Sequence, residues 1–347
     1  MSDVTINRLP QPTWHRLRVN QINVSCPDSF DRAAYEVSMP EQAAAVLTEE
    51  NETFGISGLG EQVPALCGEK CLTLTLPADS ACEDAVYVRA DAADACLRLH
   101  IRAGENSDYR VVVLLTGEGS GVSLLRLTAE VGTHAKLHVA VSQLMGHSVT
   151  SLQDFCARVG DEASLTMTQL ELGGGFVCVG NRIELSGKRS DYQADMGYRL
   201  KEQRLDVNLV ARHTGPYSTS RMDAMGLLDE QGIKCFRDTI DFVRGCHGAV
   251  GSETEDVLML GDEVVNQSVP LILCDEEDVD GSHGATIGRL DEASMYYLAT
   301  RGIDEVRARS LIAAARMRAV CELIPCEQAR EVTMAWLSDA LEEAAPC

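Results

Sequence analysis

The chain has 347 residues, with 53 Asp and Glu against 30 Lys and Arg and a net charge of −23. A surface this negative repels phosphate backbones and anionic lipid headgroups, so neither nucleic acid nor a membrane is expected as a partner. The first twenty residues lack the apolar core of a signal peptide, and no apolar run is long enough to span a bilayer, so the protein is expected to be cytosolic.

Near the start, Leu9 to Val24 is a proline-bounded run that by itself reads as a loop around Trp14. From Glu41 to Pro77 the chain is rich in Gly and Glu and poorly periodic, so a first segment is expected over residues 1–80. Apolar and polar residues then alternate in Tyr87 to Ile101, Tyr109 to Leu115 and Leu205 to His213, the pattern of strands with one face on a core. In the middle, Val131-Gly132-x-x-Ala135-x-Leu137-x-Val139 recurs about 28 residues later as Val159-Gly160-x-x-Ala163-x-Leu165-x-Met167. A third copy runs Gly187-x-x-Ser190-x-Tyr192-x-Ala194. Short strands at such steps suit a stacked solenoid over residues 81–289, with a sandwich or barrel as competitor. His134 and His138 fall on one side of an alternating strand and read as partly exposed strand residues.

After residue 290 the pattern becomes helical, so a third region is expected over 290–347. Asp291 can cap a helix that ends at Gly302, and Asp304 a second with Ile312, Ala315, Ala319 and Leu323 as its apolar stripe. Pro325 stops that helix, and a third places Val332, Trp336, Leu337, Ala340 and Leu341 on one side. These helices could close the open end of a solenoid.

The thirteen cysteines are scattered, and none shows the Cys-x-x-Cys spacing of a preformed zinc or cluster site. Cys67 and Cys71 are four apart, Cys321 and Cys326 five apart, and Cys246 precedes His247. Reduced thiols buried as small hydrophobes are expected. The acidic run Asp275 to Asp278 reads as a solvated strand end rather than a cation site. No phosphate-binding Gly-x-x-x-x-Gly-Lys-Ser/Thr loop occurs, because Gly187-Lys188 has Arg182 and Arg189 at the flanking positions, so any ATP hydrolysis belongs to a partner.

Two blocks carry a resemblance. The run Pro270 to Ile303, PLILCDEEDVDGSHGATIGRLDEASMYYLATRGI, resembles the core signature of the SufB/SufD family, scaffold subunits of the SUF machinery that builds iron–sulfur clusters. Its Ser-His-Gly-Ala-Thr run at 282–286 looks like the SufD side. The block from His213 to Leu260 matches at His213, Ser220, the Gly226 to Asp229 turn, the Phe236 to Phe242 strand and the return from Ala249 to Leu260. The resemblance implies a mainly β fold: a right-handed parallel β-helix, with an irregular and helical segment before it and a helical domain after it.

It also implies a non-catalytic scaffold subunit of a SufBCD-type complex. A SufB-like paralogue would meet the β-helix end, and a SufC-like ABC-type ATPase would dock on the helices, with Tyr297, Arg301, Gly302 and Ile303 as candidates. His283 is the implied ligand or gate for a nascent cluster shared with the partner, in a setting that includes Ser282, Gly284 and Cys274. The cluster would be transient, the isolated chain would bind no cofactor tightly, and the chain alone could homodimerise. Two departures stand out: Asp280-Gly281 replaces the Lys-Cys that precedes Ser-His in many relatives, and Asp238 replaces a glycine and is expected to reshape a turn. From another class, parallel β-helices also host polysaccharide lyases and hydrolases that use clustered carboxylates on an open groove, and a purely structural oligomerisation module is the third reading.

Overall fold

The computed structural model describes residues 1–13, 15–48, 56–68, 70–290 and 292–342. Two strands, β1 (Ser2–Ile6) and β2 (Ile22–Cys26), form a separate antiparallel pair. Next come β3 (Ala34–Ser38), β4 (Ala44–Thr48), a one-turn helix α1 (Val63–Leu66) and β5 (Cys71–Leu76). The body continues through β6 (Val86–Asp91), β7 (Cys96–Ala103), β8 (Asp108–Gly117), β9 (Gly121–Val131), β10 (Lys136–Met145), β11 (Val149–Val159) and β12 (Ser164–Glu171). It ends with β13 (Phe176–Leu185), β14 (Asp191–Leu200), β15 (Arg204–His213), β16 (Thr219–Leu228), β17 (Ile233–Phe242), β18 (Ala249–Met259), β19 (Val265–Cys274) and β20 (Val279–Gly288). Three helices follow, α2 (Glu292–Thr300), α3 (Glu305–Cys321) and α4 (Glu327–Glu342).

Successive strands go to alternate sheets. β20-18-16-14-12-10-8-6-3 make one nine-stranded sheet and β19-17-15-13-11-9-7-5-4 the other. Pairing is parallel except where β3 meets β6 and β4 meets β5. This is a β-solenoid of about eight turns, as the alternation and the resemblance led us to expect. The internal repeat sits in register: Leu137 pairs with Leu165 and Leu165 with Tyr192, while Val139 pairs with Met167 and Met167 with Ala194. All six point inward and are buried. Each such aliphatic side chain contributes about 1.5–3 kcal/mol by leaving water.

The repeat glycines mark a corner. Ala135 N donates to Gly132 O and Ala163 N to Gly160 O, and the residue between, His134 (φ 57°) or Glu162 (φ 51°), holds the left-handed conformation that such a turn requires. His134 is therefore an exposed corner residue and not a strand residue, whereas His138 lies half-buried on β10 with Nε2 3.0 Å from Thr168 Oγ1. Corner stacks on corner: His134 N donates to Asp161 O, Glu162 N to Lys188 O, Arg189 N to Pro216 O and Tyr217 N to His247 O. A Cβ at Gly187 would fall on the Gly160 carbonyl. Gly187→Ala should therefore cost about 1–3 kcal/mol of stability, read from urea midpoints; a loss below about 0.5 kcal/mol would mean that the corners are not packed this closely.

Part of the outer face of each sheet is covered. Residues of the first segment, among them Val4, Ile6, Leu59 and Val63, pack on the outward side of the odd-numbered sheet around Val122, Leu124, Leu152 and Cys178. Buried ion pairs lie under that cover: Arg126 with Asp154, and Arg237 with Asp206. Of the C-terminal helices, α3 and α4 lie along the flank of the even-numbered sheet and not over the end of the solenoid. Ala313, Met317, Val320, Cys321 and Ile324 of α3 and its following turn, with Ala329 and Leu337 of α4, join Ala140, Leu144, Leu170 and Leu227 in one apolar layer.

The expected stripe of α3 is rotated by about one position. Ala315, Ala319 and Leu323 are exposed and Ile312 is only half-buried, because this alanine-rich helix is apolar over a wide arc and the sheet chose which part to cover. On α4, Leu337 is buried, Trp336 half-buried and Val332 exposed, while the side chains of Ala340 and Leu341 lie outside the described residues. Asp304 caps α3 as expected, accepting from Arg307 N at 2.8 Å, and Asp291 lies outside the described residues. α2 ends in a Schellman motif at Gly302 (φ 78°), with Ile303 N donating to Leu298 O and Gly302 N to Ala299 O.

Candidate functional site

At one end of the solenoid, no further strand among the described residues pairs with the last rung. β19 and β20 are the last strands of their sheets, so each pairs on one side only. β20 is exposed along nearly its whole length. Edge strands are ordinarily blunted by Lys, Pro or a bulge; β20, VDGSHGATIG, has neither Lys nor Pro, and Ile287 at its end is 48% exposed.

His283 sits in the middle of this free strand. Its register partner is Glu253, an inward residue of β18, so its side chain leaves β20 on the inner face above the core. Ser282 and Gly284 pair with Ser252 and Thr254, so Ser282 projects to the opposite face and Gly284 leaves that face bare, because neighbouring strand residues alternate. Cys274, paired with inward Phe242, shares the inner side with His283, but on the other sheet. It is the one exposed cysteine among the twelve described, nine of which are buried. Its Sγ donates to Glu276 O at 3.0 Å, within the acidic corner of residues 275–278. That corner is solvated, and Glu276 Oε2 accepts from Gly245 N at 2.8 Å. A Cβ at Gly284 would meet only Thr254 Cγ2, at 3.9 Å, so nothing among the described residues requires glycine there.

Below the open rung the core turns polar. Lys234, Asp238, Glu253 and Glu255 all face inward and are at most 6% exposed. Lys234 Nζ donates to Glu255 Oε1 and, at 3.0 Å, to Ser268 Oγ. Tyr198 OH donates to the same carboxylate at 2.9 Å. Both carboxyl oxygens of Glu253 lack a protein partner. Burial, with the Asp238 charge adding, pushes the Glu253 acid up, and burial together with the Glu255 charge does the same for Asp238. Burial lowers Lys234 against the pull of Glu255.

Asp238 therefore reshapes no turn; it lies mid-strand in the core. Gly226 likewise belongs to β16, where the Tyr198 ring occupies the space a Cβ would need, and the turn itself is Asp229 to Gly232. Sequence reading missed this cluster, although its signal was present: Gly251, Glu253, Glu255 and Val257 keep one alternating phase, which places two acids among core positions. His213 is held between Ser218 Oγ (2.8 Å) and Ser220 Oγ (2.9 Å), and burial takes its imidazole down to about 4. With both ring nitrogens engaged, it is a core residue.

Tyr297, Arg301, Gly302 and Ile303 come together at the turn after α2. The Arg301 guanidinium stacks 5.2 Å from the Tyr297 ring centre, and Tyr296 and Tyr297 are 74% and 57% exposed. Ile303 is half-buried. Among the described residues, no group of three or more His, Cys, Asp or Glu is placed to hold a metal ion, and no helix is long and apolar enough to cross a membrane.

Residues 87–316 match the family model described as SUF system FeS cluster assembly, SufBD core domain. The chain is 23% identical over 259 residues to the chloroplastic iron-sulfur cluster assembly SufBD family protein ABCI8 of Arabidopsis thaliana, covering 67% of this chain and 46% of that protein. It is 23% identical over 184 residues to the iron-sulfur cluster assembly protein SufD of Escherichia coli, covering 53% and 44% respectively. To SufD of Bacillus subtilis it is 29% identical over 115 residues, covering 33% and 26%. The chain thus spans less than half the length of each of these relatives.

Proposed function

Because the chain belongs to the SufB/SufD family, with a role in iron–sulfur cluster assembly, we propose that it is the SufD-like, non-catalytic scaffold subunit of a SufBCD-type complex. One observation carries this reading: the free, unblunted terminal strand β20 with His283 at its centre. An unpaired edge with so few protecting charges is suited to adding a strand from another chain. A SufB-like paralogue is the proposed partner, and a second copy would occupy the same edge when the chain is alone.

The cluster is cargo in this reading, not a resident cofactor. A neutral imidazole binds iron through one nitrogen, and His283 would offer that nitrogen at the centre of the covered interface while the partner supplied thiolate. Cys274 would be the nearest thiol of this chain on the same inner side. Binding free energy from an ATPase of the SufC type, docked on the exposed aromatic turn of Tyr297, Arg301, Gly302 and Ile303, would open and close the interface. The cytosolic expectation belongs to the same proposal.

The test is anaerobic co-expression with a SufB-like subunit and a SufC-like ATPase, followed by size-exclusion chromatography with light scattering and cluster absorbance. A discrete three-component complex is expected. His283→Ala should leave that complex intact and lower cluster content at least about tenfold, since even outer-shell changes cost iron and zinc sites about 10–100-fold. Equal cluster content in wild type and variant would refute the role of His283. Elution of the chain alone beside well-folded partners would refute the scaffold reading.

A further inference from the structure

A cavity lies between the first segment and the outward face of the odd-numbered sheet, the sheet to which β20 does not belong. It encloses about 550 Å³ and is bounded by the 5–12 stretch, the 57–62 loop and outward side chains of β13, β15 and β17. Its floor contains polar atoms left without a partner. Asn208 on β15 is 3% exposed, and its Oδ1 accepts no hydrogen bond within the chain. On β13, Arg182 has a buried Nε that donates to nothing, and its outer nitrogen only approaches Glu184 at 3.9 Å. Leaving such a donor and acceptor dry costs about 1–3 kcal/mol each unless water or a ligand completes them.

Leu9, Pro12 and Val210 give the same cavity an apolar wall. Arg8 lines it and also lines an adjoining hollow of about 330 Å³, where His15 and Arg18 converge. Arg8, His15 and Arg18 are exposed and, among the described residues, make no ion pair. The opposing acids are few: Asp241 is engaged by Arg212 Nε at 3.1 Å, and Glu61 stands at the rim. In a chain of net charge −23, two arginines, Arg8 and Arg18, without an ion pair among the described residues beside unpartnered buried polar atoms and an apolar wall are not a solubility feature. They match the usual anatomy of a small-molecule site: mostly concave, part apolar, with a few convergent polar groups.

We propose that this double cavity binds a small phosphorylated compound of mononucleotide size. Arg8 and Arg18 hold the phosphate, the Pro12, Leu9 and Val210 wall takes the ring or apolar portion, and the Asn208 amide with Arg182 Nε reads polar groups on the part that enters deepest. Such a site is independent of the cluster interface proposed above, and nothing in its argument uses β20 or His283.

Titration calorimetry of the purified full chain with pyrophosphate, AMP and adenosine tests the proposal. Saturable binding of pyrophosphate and tighter binding of AMP are expected. Arg8→Glu with Arg18→Glu, two exposed positions whose change leaves the core untouched, should weaken AMP at least about 10-fold, the effect of losing one or two charge-assisted hydrogen bonds. Arg16→Glu, exposed on the same segment but outside both cavities, should leave AMP affinity within about twofold of wild type. The inference fails if neither anion saturates up to about 10 mM, if adenosine binds as tightly as AMP, or if Arg16→Glu weakens binding as much as the paired variant.

Discussion

Asp154→Ala should lower the free energy of unfolding by about 3–5 kcal/mol, the cost of stranding one partner of a buried ion pair. The Asp154 carboxylate projects from β11 under the first segment, where it accepts from Ser57 Oγ (2.9 Å), Gly58 N (2.7 Å), Leu59 N (3.0 Å) and the Arg126 guanidinium. Arg126 is 3% exposed, and its other contact is the Ile56 carbonyl at 3.2 Å. Alanine would leave a buried cation and two backbone donors without their acceptor. Arg126→Met should cost less, because the carboxylate keeps three donors. The ordering Asp154→Ala worse than Arg126→Met, measured by urea unfolding, is the diagnostic; the reverse would show that the cation, and not the acceptor, organises the 56–60 loop. Proteolytic cleavage near residues 57–62 should rise with Asp154→Ala, since the same carboxylate pins that loop.

The second large effect is a dependence of stability on pH that originates inside the solenoid. Glu171 is 1% exposed, accepts one hydrogen bond from Gln153 Nε2 at 2.7 Å, and leaves Oε1 unpartnered. Burial pushes its acid up to about 8 from the ordinary 4.5. The folded chain thus keeps a proton that the unfolded chain releases near 4.5, so its contribution is complete below that pH and is lost as pH rises to about 8. The gap corresponds to about 5 kcal/mol, of which about 4 falls between pH 5 and pH 9. Glu253 and Asp238, also raised by burial, push in the same direction. His138 and His213 work oppositely: each is lowered from 6.5 to about 4, so their contribution is present above 6.5 and lost as pH falls to about 4. Glu171→Gln keeps the shape and the acceptor but removes the titration. Its stability relative to wild type should grow from pH 5 to pH 9 by on the order of 4 kcal/mol; parallel curves across that range would overturn the assignment.

The family link and the acidic cluster differ in how they could be read. His283 and its strand stand out in the linear chain because a contiguous motif carries them. Lys234, Asp238, Glu253 and Glu255 look like ordinary strand charges until the phase of each strand relative to the core is known. Ser282 flanks His283 in sequence, yet it projects from the other face.

What the chain determines by itself is its repeating unit. A turn residue, a small residue and period-two alternation at steps of about 28 residues mark short strands with one face on a core, but a sandwich or barrel shows the same alternation, and only the pairing of equivalent rungs in register makes it a solenoid. Helix ends at Asp304 and Gly302 are equally local, since capping uses groups within a few residues. Tertiary structure decided the rest. Arg237 Nε reaches Val19 O, and Asn7 Nδ2 reaches Asp206 Oδ1, across about 200 residues, contacts that no local pattern announces. The wide apolar arc of α3 allowed several faces to be buried, and packing against β12, β14 and β16 selected one. By drawing the helices along the flank, that packing left β20 open, because an apolar helix face gains more from a broad sheet surface than from the narrow end of a rung.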